Sequence, residues 1–250
     1  MKNLLFKISY DGTNYCGFQS QKTVVSVQET IENALSKLTG EKTTVYGCGR
    51  TDAGVHAINY YFNFRTNSTI PPERFHLALT AHLPEDIVPL TCREVPADFH
   101  ARVCAVEKTY IYKILNRSAP DALNRKRCYH YPHHKLDIDK MKNAAKHIIG
   151  KKDFKMFMSS GSSVKTTVRT VSELEISKAE DVITIKITAD GFLYNMVRII
   201  VGTLIGIGNG KMSEAELLEV IEKKSRVYAG ATVPPQGLYL FDVNYGEISD

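Results

Sequence analysis

The sequence predicts an α+β fold built as two similar halves, and three observations predict it. Short apolar–polar alternations recur through the 250 residues, separated by amphipathic helical stripes. Two serine-led capping boxes, Ser26–Glu29 and Ser213–Glu216, mark helix starts far apart in the chain. In the first hundred residues the elements read strand, helix, strand, strand, helix, strand, the order of a ferredoxin-like or RNA-recognition (RRM-like) fold. The expected halves are residues 1–105 and 106–250, with joined, mainly antiparallel sheets and a central cleft. No Pro/Ser-rich linker marks the boundary.

Leu4 to Tyr10 alternates and ends at the turn pair Asp11-Gly12, so a strand is expected. Phe18-Gln19-Ser20-Gln21 follows as a loop. Behind Ser26, residues Val27, Ile31, Ala34, Leu35 and Leu38 form one helical stripe that Gly40 closes. Strands are expected at Thr43 to Tyr46 and Ile58 to Arg65, the second with Tyr60, Phe62 and Phe64 on one face. A helix from Pro72 that ends before Pro84 and a strand from Ile87 to Val95 complete the first half. In the second half, Lys108 to Leu115 places Tyr110, Tyr112 and Ile114 on one face. The basic, turn-rich Asn116 to Arg127 leads to Cys128 to Tyr131. The stripe Met141, Ala144, Ala145, Ile148, Ile149 reads as a helix closed by Gly150, and the Lys/Ser/Gly-rich Lys151 to Thr167 as a mobile loop. A hairpin of Val168 to Ile176 and Val182 to Ala189, helices at Tyr194 to Ile207 and Ser213 to Lys223, and a strand at Gly237 to Val243 finish the chain.

Composition excludes several classes. No apolar run reaches the ~18 residues a membrane span needs, and the start lacks a secretory signal core, so an intracellular, cytoplasmic protein is expected. Five cysteines, none in a Cys-x-x-Cys pair, support neither a disulfide framework nor a zinc knuckle. His130, His133 and His134 lie close together without a helical ligand spacing, so no metal is expected. The phosphate-cradling Gly-x-x-x-x-Gly-Lys-Ser/Thr pattern does not occur. Net charge is +5, but residues 100–155 hold 14 Lys and Arg against 5 Asp and Glu, while the remainder is net negative. That concentration suits a polyanion-binding surface.

The most informative stretch is Gly49-Arg50-Thr51-Asp52-Ala53-Gly54-Val55-His56-Ala57. Its two glycines suit a tight loop. A carboxylate beside a guanidinium stays ionised, and an ionised carboxylate serves as nucleophile, base or ligand. The plainer reading makes Asp52 a turn cap and Arg50 a surface charge. Arg198 lies inside the apolar run Met196-Val197-Arg198-Ile199-Ile200-Val201 and must reach solvent, a phosphate or a carboxylate. Pairing with Asp52 from the other half is the sharper expectation, a snorkelling side chain the plainer one. Tyr110 beside Lys108 is either a core tyrosine or an aromatic platform for an unpaired base.

The nine-residue signature resembles that of the TruA-type tRNA pseudouridine synthases. So do Met196-Val197-Arg198-x-x-Val201-Gly202-Thr203-Leu204, Lys108-Thr109-Tyr110, Phe99-His100-Ala101-Arg102, Gly17-Phe18-Gln19-Ser20-Gln21 and Gly237-Leu238. The resemblance spans nearly the whole chain. It implies isomerisation of uridine to pseudouridine at positions 38–40 of the tRNA anticodon arm, without a cofactor, by a homodimer. It implies Asp52 as nucleophile, Arg198 as its ion-pair partner, and Tyr110 as the ring stacked on the uracil and a candidate acceptor of its C5 proton. Arg50, Leu238, Arg102, Lys108, Phe18 and Gln19 follow as substrate-binding positions. Departures are Thr80, Val233 and Val103-Cys104. The sugar and the base both stay open as the point of attack. A non-catalytic RNA-binding module of the same fold is the alternative; a two-carboxylate glycosidase would need a second acid, and residues 42–72 hold only Asp52.

Overall fold

The computed structural model describes residues 1–161 and 164–246; Ser162 and Ser163, inside the stretch expected as a loop, lie outside the described residues, as do 247–250. The described residues form a mixed α+β protein of mostly antiparallel strands with five α-helices. They fall into two compact units, Met1–Val106 with Tyr239–Asp250, and Glu107–Leu238.

In the first unit the elements are β1 (Lys2–Tyr10), α1 (Val27–Thr39), β2 (Tyr46–Gly47), β3 (His56–Thr66), α2 (Pro72–Thr80) and β4 (Ile87–Val95). β1 runs antiparallel between β4 and β3, and the two-residue β2 sits on the far half of β3. This is the strand order expected of the β-α-β-β-α-β succession. The core follows from the alternation, since Leu4, Phe6 and Ile8 of β1 pair directly with Phe64, Phe62 and Tyr60 of β3. Phe6 stacks on Phe62 at 5.1 Å and meets Phe75 of α2 edge-on at 5.7 Å. Ser26 caps α1 by accepting from the Glu29 amide, and Gly40 ends it at φ 73°.

The strand expected at Thr43 to Tyr46 shrinks to Tyr46–Gly47. Side chains of α1 replace the ladder: the Val45 amide donates to Glu32 Oε1 at 3.0 Å, and Gln28 Nε2 donates to the Val45 carbonyl at 3.2 Å. On the second face of the sheet, two buried asparagines strap down the segment leading to Arg102. Asn3 Nδ2 donates to the Pro96 and Phe99 carbonyls, Asn63 Nδ2 donates to Asn3 Oδ1, and Asn63 Oδ1 accepts the Ala101 amide. The last strand, β10 (Leu238–Asn244), runs parallel to β3, with Tyr239 opposite His56 and Leu240 opposite Ala57. The stretch from Tyr239 therefore groups with the first unit, although sequence order places it with the second half.

The second unit contains β5 (Glu107–Leu115), β6 (Tyr129–His130), α3 (Ile138–Lys146), β7 (Gly150–Asp153), β8 (Val168–Ala179), β9 (Val182–Ala189), α4 (Met196–Gly208) and α5 (Glu214–Lys223). Its antiparallel order is β5-β9-β8-β7, with β6 parallel to β5. Tyr110, Tyr112 and Ile114 pair with Ile187, Ile185 and Ile183. The succession β5-α3-β8-β9-α4, with β9 between β5 and β8, repeats the first unit's β1-α1-β2-β3-α2.

Two elements of this unit differ from expectation, and the start of α5 agrees with it. α3 stops at Lys146, yet Ile148 is fully buried just beyond it, so the apolar stripe outlasts the helix. Gly150, at φ 105°, begins β7, which pairs Lys151, Lys152 and Asp153 with β8 inside the stretch expected as loop. Its charged composition hid it, as charged residues are usual on an edge strand. At Ser213 both halves of the capping box form, with Glu216 Oε2 accepting the Ser213 amide at 2.7 Å. No helix among the described residues is long and apolar enough to cross a membrane.

Candidate active site

The signature occupies the loop between β2 and β3, and its last two residues, His56 and Ala57, already belong to β3. Tyrosines anchor the loop on both sides of Arg50. Tyr60 Oη donates to the Gly49 carbonyl at 2.5 Å, and Tyr10 Oη shares a hydrogen bond with Thr51 Oγ1 at 2.9 Å. Gly54, at φ 76°, turns the chain; its amide donates to the Tyr15 carbonyl and the Val55 amide to the Asp52 carbonyl. Arg50 is exposed and Asp52 partly exposed. The backbone carrying the carboxylate is thus fixed before any substrate arrives, the condition for efficient catalysis by a positioned group.

The preceding segment braces this loop. The Gly17 and Phe18 carbonyls accept the Val27 and Gln28 amides, two of the orphan donors at the start of α1. Gly17, at φ 84°, packs so tightly that a Cβ would lie 2.2 Å from the Thr51 carbonyl oxygen. Phe18 is buried and stacks on Tyr60 at 4.1 Å, whereas its neighbour Gln19 is exposed. His56 is 2% exposed and stacks on Tyr239 at 4.8 Å. Its Nδ1 accepts the Gly12 amide at 3.1 Å and lies 3.1 Å from Asp11 Oδ1. The Gly12 donor makes Nδ1 the bare nitrogen, so the Asp11 contact becomes an ion pair only when the ring is protonated. Arg102 is exposed, and its amide donates to His100 Nδ1. The departure at Cys104 is accommodated: its Sγ accepts the His100 amide at 3.4 Å.

In the second unit, Arg198 projects from the first turn of α4. Its Nε donates to the Val233 carbonyl at 2.8 Å and its Nη1 to Asn195 Oδ1 at 2.7 Å. Because the first bond uses a backbone carbonyl, the departure at Val233 leaves it intact. The next carbonyl, of Pro234, accepts from Tyr112 Oη at 2.6 Å. Burial holds the Tyr112 phenol well above the usual tyrosine range. Tyr110 is 8% exposed with its ring edge-on to Phe192 at 5.0 Å; Lys108 beside it is partly exposed. Leu238 is 5% exposed, after the short 3-10 turn Pro235–Gly237. Of the basic segment, Arg117, Arg125, Lys126, Arg127, Lys135 and Lys142 are exposed. Among the described residues no cluster of three or more His, Cys, Asp and Glu is arranged to hold a metal ion.

Sequence reasoning overlooked Tyr10, Tyr60, His56 and Asn195 as residues that hold the functional groups. The aromatic alternation of β3 marked Tyr60 only as core. Asn195 carried a visible signal, since an asparagine three residues before an arginine at a helix start reaches the same turn.

A family model described as tRNA pseudouridine synthase matches residues 7–102 and 144–246, leaving out the segment that holds Lys108 and Tyr110. The chain is 50% identical over 245 residues to a protein of Clostridium acetobutylicum named tRNA pseudouridine synthase A, covering 98% of this chain and 100% of that one. Proteins of the same name from Acetivibrio thermocellus and a Thermoanaerobacter species are 50% and 49% identical, each over 98% of this chain and 100% of the relative.

Proposed function

The chain belongs to the tRNA pseudouridine synthase family, isomerases that convert uridine to pseudouridine in tRNA, and from that premise we propose that it acts on positions 38–40 of the anticodon arm with Asp52 as nucleophile. The observation that carries the assignment is the loop itself. The Asp52 carboxylate sits partly exposed on a backbone tied down through Gly49, Thr51, Asp52 and Gly54.

The target base leaves its stack at a cost of a few kcal/mol, offset by phosphate contacts from the exposed Lys and Arg of residues 100–155. Arg50, exposed beside the nucleophile, takes the vacated space, with Arg102, Lys108 and Gln19 as further RNA contacts. Phe18 serves indirectly, by stacking under Tyr60. The Asp52 carboxylate attacks the nucleotide and the C1′–N1 bond breaks. The uracil turns while held, C5 bonds to C1′, the bond to Asp52 breaks to return the carboxylate, and the C5 proton departs as N1 gains one. Tyr110 stacks on the uracil and takes the C5 proton; Leu238 lines the same pocket. Arg198, the guanidinium held by Val233 and Asn195, pairs with the Asp52 carboxylate and orients it. Atoms balance without a redox step or an external donor. A homodimer with tRNA spanning both subunits completes the reading, supported by resemblance. A cytoplasmic setting is supported by five free thiols.

The test is incubation with an unmodified tRNA transcript followed by mapping of pseudouridine. Asp52→Ala abolishes product while tRNA binding stays near wild type. Turnover by that variant removes the nucleophile assignment; product at other positions removes the target assignment alone.

A further inference from the structure

We infer that Asn195 is a positioning residue for the Arg198 guanidinium, an assignment that rests on the reading of Arg198 given above. Asn195 immediately precedes α4 and takes a left-handed backbone, φ 60° and ψ 9°. L-residues avoid this region, asparagine less than most. An asparagine at a helix start ordinarily turns its carbonyl back onto the first-turn amides. Asn195 makes no such cap. Its Oδ1 accepts from Arg198 Nη1 at 2.7 Å, and its Nδ2 donates to Ser159 Oγ at 2.9 Å. The amide orientation is fixed by chemistry: a guanidinium only donates, so the carbonyl oxygen must face it. Ser159 is tied to the same point by its own amide, which donates to the Tyr194 carbonyl at 3.1 Å.

With the Arg198 Nε bond to Val233, two N–H donors on different nitrogens hold the guanidinium plane. One contact swings on its axis; two fix an orientation. A neutral amide suits the task better than a carboxylate. Aspartate would hold Arg198 equally well but would cancel the charge that Asp52 needs, and would compete with it for the fork. The backbone strain at residue 195 is thus matched by a function that cap geometry alone does not require.

The experiment measures steady-state kcat and KM on tRNA for Asn195→Gly, Asn195→Asp, Ser159→Ala and Arg198→Lys, and for Asn195→Gly combined with Arg198→Lys. Glycine accepts φ 60° without strain, so the fold is kept and only the amide is lost. Asn195→Gly lowers kcat about 10-fold or more, as expected for a misaligned charged group, while KM moves less than about 2-fold. Ser159→Ala, which frees one end of the amide, lowers kcat by a smaller factor. Asn195→Asp, a good residue for a helix start, still lowers kcat. In the Arg198→Lys background, where the planar fork is gone, Asn195→Gly has no further effect on kcat. Wild-type kcat in Asn195→Gly or Asn195→Asp overturns the assignment. So does a loss from Asn195→Gly that persists undiminished beside Arg198→Lys. An Arg198→Lys single variant with unchanged kcat fails the reading of Arg198 itself and is recognised as such, because it appears without any change at residue 195.

Discussion

A matched pair of glycine substitutions separates backbone strain from displacement of the loop that bears Asp52. Gly17 and Gly40 both lie in the left-handed region, at φ 84° and 73°. Around Gly40 a Cβ meets nothing within 4 Å, whereas at Gly17 it meets the Thr51 carbonyl oxygen at 2.2 Å and the Asp52 carbonyl carbon at 3.3 Å. Gly40→Ala therefore costs only the conformational term, about 1–2 kcal/mol. For a chain of this size that lowers Tm by roughly 2–4 °C per kcal/mol. Gly17→Ala adds an overpacking term of about 1–3 kcal/mol, and the obstacle is backbone, which cannot rotate aside. Relief requires residues 51–52 to move, and a shift of about 1 Å in a reacting group costs on the order of 100-fold in rate. Thermal scans and single-turnover pseudouridine formation on the two variants read both effects. Gly40→Ala loses stability and keeps its rate constant; Gly17→Ala loses more stability and at least about 10-fold in rate. Equal rate constants in the two folded variants would refute the claim that the segment through Gly17 sets the position of Asp52.

Three further outcomes are expected. Tyr110→Phe keeps the stacking ring but removes the hydroxyl, so tRNA affinity holds while kcat falls; unchanged kcat would take the C5 proton away from Tyr110. Replacing Arg125, Lys126 and Arg127 together by Ala reduces the slope of log K against log salt by roughly 2–3 if each meets a phosphate, and an unchanged slope in filter binding places the RNA elsewhere. Burial and the Asp242 carboxylate push the Tyr61 phenol from 10.0 up to about 12. Its folded value exceeds its unfolded one, so its contribution is whole below pH 10 and disappears as pH rises through about 12. Tyr61→Phe accordingly flattens the alkaline limb of stability measured by urea titration between those pH values.

How legible the molecule was depended on whether the signal was local. Ser26 and Ser213 announce α1 and α5 because a cap is written in four consecutive residues. The pairs Leu4–Phe64 and Phe6–Phe62 were legible as alternation on each strand. What failed needed partners distant in sequence. Val45 draws its hydrogen bonds from Glu32 and Gln28, so its β-like composition misled. Lys151 to Asp153 form a strand only because β8 offers an edge. At the candidate site, the motif residues themselves were readable, but their supports were not. Nothing in the spacing of Tyr10 or Tyr60 says that they clamp Thr51 and Gly49, whereas the i, i+3 spacing of Asn195 and Arg198 was visible but went unread. Phe18 lies within the recognisable motif yet is buried, since a motif records that a residue matters and not whether it faces solvent.

The strand at Tyr239 gives the first unit an unusual timetable. Tyr245 Oη donates to the Ala101 carbonyl, the Asn244 carbonyl accepts the Val106 amide, and Tyr239 covers the His56 ring. A ribosome therefore delivers the loop bearing Asp52 early and the pieces that finish its scaffold later, after the whole of Glu107–Leu238 has emerged. A nascent chain halted before that strand would carry the loop bearing Asp52 on an unfinished support, so the scaffold of that loop is complete only once Tyr239 to Asn244 has been made.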